Sequence, residues 1–87
     1  MTAPAARTGT APATLNGEAL GDLPGSILEL VQARTGRELG ADGAPADGGR
    51  LGVAVALNQE VLPRRRWAET TVRAGDAIEL LTAVQGG

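Results

Sequence analysis

Alternation of large and small side chains marks the best strand candidates in this chain. From 51 to 57, Leu or Val alternates with Gly or Ala. Because successive side chains of a strand point to opposite faces, this pattern predicts a strand with one face in a core and one flat face. A second apolar run over 77–85 predicts a final strand, in which Ile78 and Leu80 face the core and Leu81 faces the other side.

Two turns are predicted between short strands. Asn16-Gly17 lies inside the segment 13–20, and Asn-Gly is a strong hairpin signal because a type I′ turn needs positive φ at both central residues. Asn58-Gln59 is predicted to turn the chain into a short strand over 60–63. Its proline suits the end or edge of a strand.

A helix of about ten residues is predicted to begin after Ser26. Ser26 and Glu29 have the spacing of a capping box, in which each side chain accepts from the other residue's backbone N–H. Ile, Leu and Val cover a broad face of 27–31. Gly36 stands where a left-handed C-cap would end the helix.

The element order is strand, strand, helix, strand, short strand, strand. It predicts an α+β fold with a mixed sheet of four to five strands and one main helix packed on one face. The first strand is the expected parallel partner of the last. Residues 1–12 are predicted to be a disordered extension, 13–85 the domain, and 86–87 a flexible di-glycine tail. A long Gly-rich loop at 37–50 is expected to be mobile or functional, with mobility favoured.

The flat face of the sheet is a candidate docking surface. Leu81 and Ala83 are expected to join Ala54 and Ala56 on the side away from the helix, forming a low apolar patch beside the end of the last strand. The alternative is that the long loop covers Leu81.

Composition excludes several classes of function. The chain has no Cys and no His, which disfavours independent catalysis and zinc binding, so we expect no catalytic residue, no metal site and no stably bound cofactor. Its net charge is −2 and it has a single aromatic residue, which disfavours binding to nucleic acid. No apolar run approaches a membrane span or a signal peptide. A cytoplasmic, non-membrane protein is expected.

Gly86-Gly87 follows the last predicted strand directly. Two residues without Cβ form a thin strip of backbone that can enter a narrow enzyme channel. The terminal carboxylate is the best candidate for a reactive group, and its chemistry would take place in a partner's active site.

Several motifs together carry a resemblance to a known family. They are 55–64 (VALNQEVLPR), 67–72 (WAETTV), the Gly-Asp turn at 75–76, and the final strand with its two glycines. In this order they resemble the ThiS family, ubiquitin-like β-grasp sulfur carriers of thiamine thiazole biosynthesis. The resemblance is close over 53–87 and looser over the first hairpin and helix.

The resemblance implies a carrier and not an enzyme. An E1-like adenylyltransferase (ThiF type) would activate the Gly87 carboxylate with ATP and Mg²⁺, and sulfur would then convert it to a thiocarboxylate. A thiazole synthase (ThiG type) would take the sulfur, while Gly86 would supply the slender approach.

Other interpretations stay open at this point. Arg64, Arg65 and Arg66 either pair with acidic groups of a partner or form a solvated face. Trp67 is predicted to be a packing anchor. The nearest rival function is a sulfur carrier of the molybdopterin synthase small-subunit type. A ubiquitin-like protein modifier and an unreactive interaction domain are the others.

Overall fold

The computed structural model describes residues 11–82, and the elements follow the predicted order. They are β1 Thr14–Leu15, β2 Glu18–Ala19, α1 Ile27–Thr35, β3 Val53–Leu57, β4 Glu60–Leu62, a 3-10 helix Arg64–Arg66, and β5 Ala77–Thr82. Across 11–82, none of the helices is long and apolar enough to cross a bilayer.

The five strands form one mixed sheet in the order β2-β1-β5-β3-β4. β1 lies parallel to β5, as predicted, and the other neighbours are antiparallel. The last strand is therefore central, with β1 on one side and β3 on the other. This confirms the α+β sheet with one helix on one face.

The ends of α1 have the predicted caps. The Oγ of Ser26 accepts from the N–H of Glu29 at 3.1 Å, and Glu29 Oε1 accepts from the N–H of Ser26 at 2.9 Å. Gly36 is left-handed, with φ of 72°, and its N–H donates to the carbonyl of Gln32. Both ends of the helix therefore have partners for backbone groups that would otherwise be unsatisfied.

Asparagine begins each of the two hairpin turns in the left-handed region. Asn16 and Gly17 have φ of 52° and 87°, and Asn58 and Gln59 have φ of 51° and 75°. Both predicted turns are confirmed. Glutamine at the second position of the second turn is a costlier choice than glycine, because its Cβ crowds a backbone with positive φ.

A single core lies between the sheet and α1. Trp67 is 1% exposed, and its Nε1 donates to the carbonyl of Leu62 at 3.1 Å, which confirms its predicted role as a packing anchor. The segment after it is tied to the start of α1, because the N–H of Ile27 donates to the carbonyl of Thr70. The buried core comprises Ala13, Leu15, Ile27, Leu30, Val31, Leu39, Val53, Val55, Trp67, Val72 and Ile78.

The long loop at 37–50 folds back on itself. Leu39 is buried, forms an antiparallel bridge with Pro45, and donates its N–H to Gln32 Oε1 at 2.8 Å. Asp47 accepts from the N–H of Gly49 and from the guanidinium of Arg37, and these contacts hold the pKa of its carboxyl below the usual value. The loop thus has its own turn structure and an apolar anchor, and its predicted mobility stays a prediction.

Gly43 brings this loop against the 3-10 helix. It is buried with φ of +82°, and a Cβ there would lie 2.8 Å from the carbonyl oxygen of Arg64. Only glycine fits both the conformation and the close approach. The loop is therefore packed against the segment that carries the arginines.

We expect Gly43→Ala to lower the free energy of unfolding by about 2–4 kcal/mol, the sum of left-handed strain and a backbone clash. Gly48→Ala is the matched control, since Gly48 has φ of +80° and nothing within 4 Å of its missing Cβ. Urea denaturation of both variants separates the two contributions. Equal losses would show that the contact with Arg64 contributes nothing.

Candidate functional site

The face of the sheet away from α1 is exposed and partly apolar. Leu81 of β5 is 62% exposed and pairs with Ala54 of β3, while Val61 of β4 is 78% exposed and pairs with Ala56. We call these four residues the outer patch. The long loop does not cover Leu81, which removes the alternative raised from the sequence.

An open depression of about 330 Å³ lies at one end of the outer patch. Its lining consists of Gly52, Val53 and Ala54 at the start of β3, Leu81 and Thr82 of β5, and Arg64. The structure thus brings together Ala54, Leu81 and Arg64 among the residues predicted from the sequence. Because Thr82 is the last described residue, the depression adjoins the point from which the C-terminal segment, residues 83–87, continues.

Of the three consecutive arginines, only Arg64 lines the depression. Its Cζ lies 6.0 Å from the centroid of the Trp67 ring, within the range of a cation–π contact. Arg66 instead pairs with Glu69, with 2.6 Å between Nε and Oε2. Arg65 is exposed and lies outside the lining. The structure therefore does not group the three arginines into one site.

The predicted reactive residue Gly87, its neighbour Gly86 and the predicted docking residue Ala83 lie beyond the described part of the chain. Ala83, Gly86 and Gly87 are all in the C-terminal segment, so their predicted roles stay predictions. Five residues span at most ~18 Å when fully extended, which bounds how far Gly87 lies from Thr82. A partner that docks on the outer patch would have to place its reaction centre within that reach.

The two turn asparagines hold β5 near both of its ends. Asn58 Oδ1 accepts from the N–H of Ala77 at 2.9 Å, at the start of the strand. Near the other end, Asn16 Oδ1 accepts from the N–H of Leu80 at 2.9 Å, and its Nδ2 donates to the carbonyl of Leu80 at 3.3 Å. The sequence predicted only the turns, and not these side-chain contacts.

Val61 is the member of the outer patch that sequence reasoning missed. A signal was available, since a two-residue turn at 58–59 pairs Glu60 with Leu57 and hence Val61 with Ala56, on the flat face. The short strand predicted over 60–63 carries no assignment of its faces in the sequence analysis.

The arrangement suits the docking of a partner. Among residues 11–82, no three His, Cys, Asp or Glu side chains are grouped so that they could hold a metal ion. The candidate site is an apolar surface with one cation, next to the strand that leads into the C-terminal segment.

Comparison with known proteins gives a consistent result. Residues 18–87 match the model of the ThiS family. The sulfur carrier protein ThiS of Escherichia coli (strain K12) is 42% identical over 38 residues, which are 44% of this chain. The match spans 58% of the length of that curated relative.

Two solved structures of a thiamine biosynthesis protein from Geobacter metallireducens are also similar. The crystal structure, of a protein named ThiS, is 35% identical with a TM-score of 0.56, covering 86% of this chain and 97% of that chain. The solution NMR structure is 33% identical with a TM-score of 0.59, covering 87% of each chain. The predicted β-grasp fold is confirmed by these likenesses.

Proposed function

This chain belongs to the ThiS family, and on that premise we propose that it is a sulfur carrier of thiamine biosynthesis whose reactive group is the carboxylate of Gly87. The observation that carries the proposal is that the family match runs through Gly86-Gly87. The outer patch supports it, because this exposed apolar surface adjoins the strand that leads to those residues.

The proposed chemistry has three steps. The Gly87 carboxylate attacks the α-phosphorus of ATP in an E1-like adenylyltransferase, releasing pyrophosphate and forming an acyl-adenylate. A persulfide sulfur then attacks the acyl carbon and AMP leaves. Attack of a thiol on the new S–S bond leaves a thiocarboxylate on Gly87. Activation is needed because a carboxylate is a poor acylating agent, whereas its mixed anhydride with phosphate is a good one.

The thiocarboxylate is proposed to deliver its sulfur to a thiazole synthase. Tethering the sulfur to a docked carrier gives it a high effective concentration at the partner's site. ATP and Mg²⁺ belong to the activating enzyme in this scheme, and the carrier itself supplies a surface and a carboxylate. A cytoplasmic location is part of the same proposal.

Mass spectrometry tests the function directly. The full chain is incubated with its cognate adenylyltransferase, ATP, Mg²⁺ and a persulfide source. Replacement of one carboxylate oxygen by sulfur should add about 16 Da to the intact mass. No mass change, while the adenylyltransferase converts another carrier, would contradict the proposal.

The rival functions give different results in the same assay. A ubiquitin-like modifier would form conjugates with another protein and would show no gain of sulfur. A carrier of the molybdopterin synthase type would gain sulfur but would then form a stable complex with a large subunit, and would not support thiazole formation by a thiazole synthase.

Docking on the outer patch can be tested by Leu81→Thr. We expect a rise of about tenfold in the KM for the carrier in adenylate formation, because an apolar anchor is lost from the contact surface. Unfolding free energy should change by less than about 1 kcal/mol, since Leu81 is 62% exposed. Pyrophosphate release measures the KM.

Leu23→Thr is the control for this substitution. Leu23 is 48% exposed but lies in the turn before α1 and not on the outer patch. It should leave the KM unchanged. Equal KM values for Leu81→Thr and the wild type would show that the patch is not the docking surface.

A further inference from the structure

The Asn16 side chain continues the sheet where a strand has already ended. β1 stops at Leu15, and the N–H of Asn16 makes the last backbone hydrogen bond from this side, to the carbonyl of Ile78 at 2.8 Å. Beyond it, the Asn16 carboxamide bonds both the N–H and the carbonyl of Leu80. A side-chain amide thus occupies the place of the next peptide group in the ladder.

The left-handed backbone of Asn16 gives the residue two functions at once. With φ of 52° it forms the hairpin turn, and its side chain reaches a residue 64 positions away in sequence. Leu80 has Leu81 and Thr82 as its next neighbours, and both of these line the depression of the candidate site. The amide contact therefore fixes the strand immediately before the site and the C-terminal segment.

We infer that Asn16 is a positioning residue for the strand that precedes the C-terminal segment: by bonding both backbone groups of Leu80, it holds β5 on the side opposite to β3, so that a partner meets the residues after Thr82 on a fixed strand. The inference rests on the proposed function, in which Gly87 is delivered to an activating enzyme.

The physical reason is the conformational entropy that is lost when a frayed strand end becomes ordered on binding. A strand end that is held on both sides offers its continuation in one direction, whereas an end held by β3 alone frays. A partner that binds the frayed form must order it, and that cost appears in binding and not in the chemical step. Loss of the Asn16 contacts should therefore raise KM and leave kcat unchanged.

Asn58 provides a matched control within the same molecule. It also begins a two-residue turn with φ near 50°, and its side chain also makes two hydrogen bonds, to the N–H of Ala77 and to Asp76 Oδ1. Its contacts hold the start of β5 and not the end. Asn16→Gly and Asn58→Gly both keep a residue that accepts positive φ, so their general costs are alike.

The experiment measures two quantities on the wild type and both variants of the full chain. One is amide hydrogen exchange of Leu80 relative to Val55, and the other is the KM and kcat for pyrophosphate release with the cognate adenylyltransferase. For Asn16→Gly we expect about tenfold faster relative exchange at Leu80 and a KM raised about three- to tenfold, with kcat unchanged. For Asn58→Gly we expect neither change.

Each outcome decides the inference. Equal KM values for Asn16→Gly and the wild type, or equal rises for the two variants, would overturn it while leaving the proposed function intact. A wild type that releases no pyrophosphate would remove the proposed function as well.

Discussion

Deletion of Gly87 is expected to abolish thiocarboxylate formation and to leave the fold intact. The deletion moves the terminal carboxylate back by one residue, up to ~3.6 Å along the chain. A misplacement of about 1 Å in a reacting group can already cost about a hundredfold in rate. We therefore expect no detectable gain of sulfur in the intact mass under conditions that convert the wild type completely.

Stability should not change in the same variant. Every buried apolar residue of the described core lies between Ala13 and Ile78, so the deletion removes none of them. Urea denaturation should give an unfolding free energy within about 0.5 kcal/mol of the wild type. A truncated chain that still gains sulfur, or one that unfolds, would contradict this prediction.

Two further variants test whether the position of the carboxylate and the small size of Gly86 are both required. One extra glycine appended after Gly87 keeps a terminal glycine carboxylate but moves it forward by one residue. The extended chain should therefore also fail to gain sulfur at the wild-type rate. Gly86→Val keeps the length and adds a β-branched side chain to the approach, and it should impair activation more than stability. If the extended chain gained sulfur as fast as the wild type, the result would show that a terminal glycine carboxylate is sufficient and that its exact position along the chain is not critical.

Trp67→Ala is expected to have the largest effect on stability. Replacing a buried Trp by Ala costs about 3–5 kcal/mol through lost transfer energy and a cavity. Trp67 is the only aromatic residue, and no other large ring can fill the gap. Because domains of this size have only about 5–15 kcal/mol of stability, a large part of the chain population should unfold under mild denaturant.

The control for this prediction is Trp67→Phe. It keeps an aromatic ring in the core and removes the hydrogen bond from Nε1 to the Leu62 carbonyl, so we expect a loss of about 1–3 kcal/mol. Far-UV circular dichroism is the appropriate probe, since the substitutions remove the fluorophore. A loss below about 1.5 kcal/mol in Trp67→Ala would show that the surrounding residues collapse into the space.

Local signals in the sequence predict the main elements of the fold. Asn16-Gly17 predicted the first hairpin, Ser26 with Glu29 and Gly36 predicted both ends of α1, and the alternation over 51–57 predicted the faces of β3. These signals act over a few residues and have direct physical causes. The family resemblance drawn over 53–87 is confirmed by the match to the family model.

The candidate site was less predictable because its contacts are long-range. The capture of Leu80 by Asn16 depends on the length of β1, and the approach of Gly43 to Arg64 depends on how a loop without periodicity folds. Three adjacent arginines in sequence could not reveal that only Arg64 faces the depression. Their separation follows from the 3-10 turn, which directs successive side chains to different sides.

The strand order has a consequence for folding during synthesis. β5 is the middle strand of the sheet and the last of the described strands to be synthesised. Until it has been made, the β1–β2 hairpin and the β3–β4 hairpin have no strand between them to join them into one sheet. Pairings between distant parts of a chain form slowly, after loop-closure entropy has been paid. We therefore expect the sheet to close only after Ala77–Thr82 has been made, because β1 and β3 are joined through this strand.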